Sequence, residues 1–464
     1  RVRTAIKNSH FKYGRSRLTI NLSPADIKKE GPAYDLPIAI GILTATEQIA
    51  PENLDDYIFI GELSLDGNVQ PTNGILLFSL QMRQTSAKKI IIPYANRDEA
   101  SLSGYRHVYP VKSLEDVVEL MEGRLTQPPY QRDIIQLLKE NNHYAVDFKD
   151  VKGQMLVKRG LEIAAAGSHN VLMIGPPGSG KSMLAKRIPT ILPDLTLDQA
   201  LEITKIHSAM GLISSQEKIK NTRPFRSPHH TTSDVAIVGG GSIPKPGEIT
   251  MSHHGVLFMD ELPEFSRAVL ESLRQPLEDH HVTIARTART TRFPAQFMLI
   301  GAMNPCPCGW LTDQNKPCHC NPQQIQKYLQ KISGPLLDRI DIHLEVASLA
   351  SHEIMKKPDG EPSLHIRQRT IEARAIQASR YKNSNTQANA YMNVKEIEQY
   401  CLLGQASEDL LKQSIEELSL SARAYNKILK IARTIADLEK QEMIQPYHIA
   451  EAIQYRCLDR KWWR

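Results

Sequence analysis

Three short apolar runs punctuate the middle of the chain: Asn170-Val-Leu-Met-Ile174, Gly255-Val-Leu-Phe-Met259 and Phe297-Met-Leu-Ile-Gly-Ala-Met303. Each is too short for a helix and ends on a polar or glycine-rich turn, so each predicts a buried strand. Ahead of them, residues 1–124 alternate strand-like runs (Arg17 to Leu22, Tyr57 to Ile60, Lys89 to Ile92, His107 to Val111) with helical ones (Leu36 to Ala50, Ile75 to Ser86, Leu114 to Glu122). That is the pattern of a compact α+β or α/β unit. The opening Arg1-Val-Arg-Thr-Ala-Ile6 already reads as mid-helix, which predicts further residues upstream. Gln127-Pro-Pro-Tyr130 punctuates the chain and marks 125–147 as a linker. Residues 346–390 read as a connector: a basic helix from Leu364 to Tyr381, carrying Arg367, Arg369, Arg374 and Arg380, then a polar loop. From 391 to 464 the pattern is helical, Val394 to Lys440 and again Gln445 to Tyr455.

At 464 residues, 41% hydrophobic and 23% charged, the composition suits roughly two to four ordinary folded domains. No apolar run approaches the ~20 residues needed to cross a bilayer, and the N-terminus lacks a signal-peptide pattern, so a cytoplasmic location is expected. The 57 basic residues exceed the 51 acidic ones by only 6, so where positive charge clusters matters more than the total. Four of the six cysteines, Cys306, Cys308, Cys318 and Cys320, fall within fifteen residues, which points to metal rather than disulfides. Cys401 and Cys457 lie in helical stretches and are expected in the core.

The first apolar run feeds Gly175-Pro-Pro-Gly-Ser-Gly-Lys-Ser182, a P-loop pattern in its strand-then-helix context. Gly175, Gly178 and Gly180, with Pro176, Pro177 and Ser179 between them, let the backbone turn its N–H groups and a helix N-terminus toward a polyphosphate. Lys181 would reach the β- and γ-phosphates, and Ser182 would give its hydroxyl to Mg²⁺. The chain is therefore expected to bind ATP or GTP. The second run ends in Asp260-Glu261, about 80 residues beyond Lys181. Asp260 would hold a Mg²⁺-bound water, and Glu261 would orient the water that attacks the γ-phosphate. The third ends in Asn304, placed to help fix that water.

Two C-x-C pairs follow, Cys306-Pro-Cys308 and Cys318-His-Cys320. Four thiolates this close suit a structural tetrahedral Zn²⁺, reduced free thiols being the alternative and His319 a spare ligand. Val282 to Phe293 reads as a hairpin with Arg286, Arg289 and Arg292 beside threonines. It would serve either phosphate oxygens of a nucleic acid or a solvated edge guarded by charge. Arg223-Pro-Phe-Arg-Ser-Pro-His-His230 belongs to an inserted loop in which Arg223, Arg226, His229 and His230 would line a channel or act as turn and capping residues.

Taken in order, these segments resemble AAA+ ATPases of the helix-2-insert clade. Asp150-Val-Lys-Gly-Gln154 resembles the stretch that lies against the adenine, implicating Val151, Gly153 and Gln154. Residues 148–345 then form the ATPase domain and 391–464 a helical lid. In that clade the hairpin projects into the central channel of a ring, which implies DNA contact. Ile332 to Asp341 is similar to the segment carrying the arginine finger, a role that falls on Arg339, with a structural partner of Asp338 or Asp341 as the alternative. Arg423, or else Arg433, matches sensor 2. Within residues 1–124, Lys29-Glu-Gly-Pro32, Gly61 to Gly67 and Ile90 to Pro93 resemble the proteolytic domain of Lon-type proteases. Ala33 and Leu76 stand where that family's serine and lysine are expected, so the resemblance implies the fold without the Ser/Lys dyad.

Arg223 to His230, the double C-x-C block and Ser421-Ala-Arg-Ala-Tyr425 together resemble the YifB/ComM family of bacterial magnesium-chelatase-like ATPases. The resemblance implies a homo-hexameric, ATP-driven helicase or translocase that acts on single-stranded or branched DNA. In the family it promotes branch migration and recombination during natural transformation, alongside recombination proteins. The rival expectation is the ATPase subunit of a metal chelatase, with no nucleic-acid role.

Overall fold

The computed structural model describes residues 1–14, 17–23, 31–50, 53–85, 88–133, 144–212, 219–241, 244–286, 289–313, 316–349, 355, 360–418 and 421–456. Lys29, Glu30, Cys457 and the closing Lys461 to Arg464 lie outside the described residues, as do the side chains of Arg286 and Arg289. The chain divides into two compact units, residues 1–142 with 196–221, and 143–195 with 222–464.

In the first unit, three parallel strands, Tyr57–Phe59, Lys89–Pro93 and Val108–Val111, pair with Lys89–Pro93 in the middle. The expected strand at Arg17 to Leu22 does not form: those residues carry no strand pairing and lie exposed, with Leu18, Ile20 and Leu22 at the surface. Alternation alone could not supply a neighbouring strand edge. The 125–131 stretch is bound to this unit rather than free. The Tyr130 amide donates to the Val108 carbonyl at 2.8 Å and its hydroxyl donates to Asp98 at 2.7 Å. The helix Leu197–Ala209, read from sequence as part of the ATPase domain, also belongs here, with Ser208 bonded to the buried Glu99.

The second unit is built on five parallel strands in the order Ile342–Glu345, Val171–Ile174, Met298–Met303, Val256–Met259, Phe225–Arg226. The three apolar runs are its central strands, every residue buried, because both sheet faces are covered. Alternate residues feed separate cores. Val171, Met173, Val256, Phe258 and Ile300 join one; Leu172, Leu257, Met259 and Leu299 join the other with Phe265, Leu270 and Ile340.

The C-terminal helices share the first of these cores. Ile428, Ile431 and Ile435 recur at helical spacing along Ala422–Leu438 and pack with Leu161, Ile163 and Val171. Residues 391–456 are thus packed into the same compact unit as the sheet. The long helical pattern from Val394 resolves into Val394–Tyr400, Gln405–Leu418 and Ala422–Leu438.

Arg433 is structural. Buried with 2% exposure, it donates to Asp437 and to the carbonyls of Glu442 and Gln441. Asp437 also accepts from Arg380 and, at 2.8 Å, from Asn389. Removing this carboxylate leaves two guanidinia without their shared counter-charge. Asp437→Ala should therefore cost about 3–5 kcal/mol, read as a lower denaturant midpoint for the second unit, with Asp437→Asn retaining part of it.

Candidate functional site

In a parallel sheet all carboxyl ends lie along one edge, and three chemically distinct turns converge there. The P-loop leaves Val171–Ile174, Asp260-Glu261 leave Val256–Met259, and Asn304 leaves Met298–Met303. Pro177 to Met183, Asp260, Glu261, Met303 and Asn304 line a cavity of about 370 Å³.

The loop's glycines are needed by geometry. A Cβ on Gly175 would meet the Val346 carbonyl oxygen at 2.1 Å, and Gly178 and Gly180 have φ of +79° and +92°. Gly180 caps the helix Lys181–Ile191, whose unpaired first N–H groups face the cavity. Lys181 Nζ donates to the carbonyls of Gly175 (2.6 Å) and Pro176 (2.9 Å) and to Asn304 Oδ1 (3.3 Å). Burial pushes its pKa down to about 8, the Asp260 charge offsetting only part of the loss. A desolvated ammonium held by neutral carbonyls is a site for an anion to complete. Ser182 Oγ donates to Asp260 Oδ2 at 2.6 Å, two hard oxygen donors already adjacent and suited to Mg²⁺.

Glu261 sits at φ 52°, ψ 46°, turning its carboxylate toward the loop after Phe225–Arg226, where His230 Nδ1 approaches Glu261 Oε2 at 3.2 Å. His230 thus borders the acidic pair. His229 is bonded to Thr231. Arg226 is held by Glu248 through two bonds of 2.6 and 2.7 Å, so its charge is already matched within the fold. Val151 is a core residue, while Gln154 donates to the Ser179 carbonyl at 2.8 Å and so braces the P-loop from outside the cavity.

Arg339 and Arg423 do not border that cavity. Arg339 precedes Ile342–Glu345 and therefore lies at the amino edge of the sheet, its carbonyl accepting from the Asn170 side chain at 2.9 Å just before Val171. The four-residue strand from Val171 to Ile174 separates the two edges by about 13 Å. There Arg339 pairs with Glu278, and Arg423 donates to Asp338 at 2.8 Å. Both line a second cavity of about 360 Å³ with Asn170, Asp341, Lys427 and Lys430. Burial pushes the Lys427 pKa down to about 8. Burial also opposes ionisation of Asp341, but Lys427, His169 and Lys430 outweigh it and hold the carboxyl well below its usual range. Sequence reasoning missed both lysines. Their signal was available, since 423, 427 and 430 fall on one helix face.

Four sulphurs come together as expected. Cys306, Cys308 and Cys318 Sγ atoms lie 3.4–3.7 Å apart, and all four sulphurs are within 4.8 Å of one another. Tetrahedral Zn–S bonds of about 2.3 Å require sulphur separations of about 3.8 Å, so the set fits zinc.

The expected hairpin forms, His281–Arg286 pairing with Arg289–Pro294 so that Arg286 stands opposite Arg289 and Arg292 opposite Thr283. Val282 and Ile284 pack inward, while Thr283, Ala285, Thr290 and Arg292 are exposed.

Comparison with known proteins identifies relatives of this chain. A family model described as magnesium chelatase, subunit ChlI, matches residues 147–354. Two others match 1–96 (subunit ChlI of Mg-chelatase) and 360–456 (the ChlI C-terminal region). Competence protein ComM of Haemophilus influenzae is 43% identical across 99% of this chain and 89% of its own length. The chain belongs to the YifB/ComM family. YifB of Escherichia coli is likewise 43% identical, over 99% of this chain and 89% of its own. Lon protease 2 of Bacillus subtilis is 29% identical over 137 residues, 29% of this chain and 24% of its own. The YifB/ComM chain is thus a magnesium-chelatase-like AAA+ protein.

The depressed Lys181 sets a pH dependence. Above pH about 8 the neutral amine loses its attraction for phosphate. Nucleotide affinity should then fall toward about tenfold per pH unit, measurable by titrating a fluorescent nucleotide from about pH 7 to 9.5.

Proposed function

We propose that the chain is one subunit of a homo-hexameric, ATP-hydrolysing DNA motor, a helicase or branch-migration translocase acting in recombination during natural transformation. The observation that carries the reading is the separation of Arg339 from Lys181 across the sheet. A guanidinium at the amino edge meets a γ-phosphate when it belongs to the neighbouring subunit, and such a head-to-tail contact closes into a ring where the rotation between subunits permits. The ComM name adds the link to competence. No helix among the described residues is long and apolar enough to cross a membrane, in keeping with work on cytoplasmic DNA.

In this reading ATP with Mg²⁺ supplies the scissile γ-phosphate and its counter-charge. Lys181 and the loop amides hold the phosphates, Ser182 and Asp260 hold the metal, and Glu261 with Asn304 orients water. Arg339 and Arg423 reach the neighbour's nucleotide. The four cysteines hold a structural zinc. The hairpins contact single-stranded or branched DNA through backbone phosphates, leaving recombination proteins to choose the site. The first unit takes a Lon-like fold without the Ser/Lys dyad. A second reading, a chelatase-type remodelling ATPase, is favoured by the three ChlI matches.

Two measurements test the motor. Single-stranded DNA should raise ATP turnover several-fold. Replacing Arg286, Arg289 and Arg292 with Ala should remove that stimulation and lower the slope of log affinity against log salt by about one for each phosphate no longer neutralised. Turnover indifferent to DNA would favour the chelatase reading.

Arg339→Ala should reduce turnover on the order of 10³-fold or more, and so should Lys181→Ala. Mixing the two inactive variants should restore part of it, because an intact cradle then meets an intact guanidinium. No recovery on mixing contradicts the shared site.

A further inference from the structure

The cysteine block and the nucleotide cavity touch. Cys306 follows Asn304 by two residues, and Asn304 is the cavity residue whose Oδ1 accepts from Lys181 at 3.3 Å. Within the block the chain doubles back: the Gly309 amide donates to the Cys306 carbonyl at 3.0 Å, at φ +86°. That turn brings Gly309 against the P-loop. A Cβ on Gly309 would lie 2.6 Å from Pro177 Cδ, 2.7 Å from its Cγ and 3.8 Å from Asn304 Cγ. No side chain fits between the metal-ligating loop and the proline of the phosphate loop. Cys306 itself is fully buried, so the loop is anchored from inside.

We infer that the metal held by Cys306, Cys308, Cys318 and Cys320 props one wall of the nucleotide cavity through Gly309 and Asn304, so that metal and nucleotide each tighten the other's binding. This rests on the reading of the cavity as an ATP site and of the cysteines as a zinc site. Four thiolates joined by short loops hold no fixed shape without a shared ion. The loop they shape is the surface on which Pro177 leans, and the metal also fixes the start of the strand-end turn that presents Asn304. Linkage makes the coupling reciprocal. A nucleotide that needs Pro177 and Asn304 in place resists the opening through which zinc escapes.

The test uses the full chain as purified. Zinc release to a zinc-selective chromophoric chelator is followed with Mg²⁺ in excess, with and without a non-hydrolysable ATP analogue, and analogue binding is measured on the same sample. Release should slow on the order of fivefold or more when the analogue is bound. Analogue binding with an unchanged release rate overturns the coupling while leaving the ATP site intact. Zinc-free folded protein overturns it by removing the metal, and failure to bind the analogue overturns the coupling and the ATP reading together.

A second measurement addresses the contact itself. Gly309→Ala should keep one zinc per chain and the cooperative unfolding of the wild type, yet weaken analogue binding about tenfold through the overlap with Pro177. Unaltered affinity in that folded, zinc-loaded variant overturns the proposed route. Should the variant not fold, the release experiment on the natural sequence decides alone.

Discussion

A parallel sheet has two unlike edges, and almost everything functional in this chain follows from which turn lies on which edge. Loops leaving carboxyl ends can approach one another closely, and here they bring an ammonium, two carboxylates and an amide around one cavity. Loops entering amino ends gather on the other side, where Arg339, Arg423, Lys427 and Lys430 line a second cavity. Strand length keeps the two sets apart, and no rotamer change removes that distance. In the proposed assembly a chain with a phosphate cradle on one edge and cations on the other is half a site twice over, and stacking copies head to tail would join the halves.

Burial sharpens the chemistry at both edges. Lys181 is desolvated by the loop that presents it, so its charge costs more in the free protein than beside a polyphosphate. In the second cavity Lys427 is likewise desolvated, but Asp341 stands next to it at 3.1 Å and balances its charge internally. Lys181 therefore touches only neutral oxygens directly, with Asp260 acting on it from further off, whereas Lys427 has a carboxylate in contact. Such an asymmetry favours anions at the P-loop, and the exposed pair of Arg423 with Asp338 costs little to exchange for another anion, as the proposed subunit contact would require.

Local chemistry was legible in the sequence wherever short spacing determines it. The P-loop needs glycine at fixed offsets, Asp260 and Glu261 need a strand end, and four cysteines within fifteen residues meet in space. Each is a property of a few consecutive residues. What was not legible depended on partners distant in sequence. Arg17 to Leu22 has the alternation of a strand and finds no edge; Arg226 has the charge of a DNA contact and finds Glu248. Arg433 matches a nucleotide sensor as well as Arg423 does in sequence, and is buried beside Asp437. The helix Leu197–Ala209 gave no sign of joining the first unit, because its capping box and apolar stripe would serve either.

The same distinction bears on the meaning of positive charge here. The connector helix Ser363–Arg380 is strongly basic, yet its arginines are used inside the fold. Arg369 binds Glu361 and Glu162, Arg380 binds Asp437, and Arg374 donates to the Gln387 carbonyl. A basic run engaged in this way offers little to a phosphate backbone. The hairpin carries three arginines, and of these Arg292 is exposed beside threonines on a ribbon anchored by Val282 and Ile284. In the proposed motor a few cations per copy suffice, because a closed ring would present them repeatedly to one strand and linked weak interactions add through effective concentration rather than individual strength. One such hairpin on each subunit of the proposed ring would let any single contact let go while the others keep the strand in place.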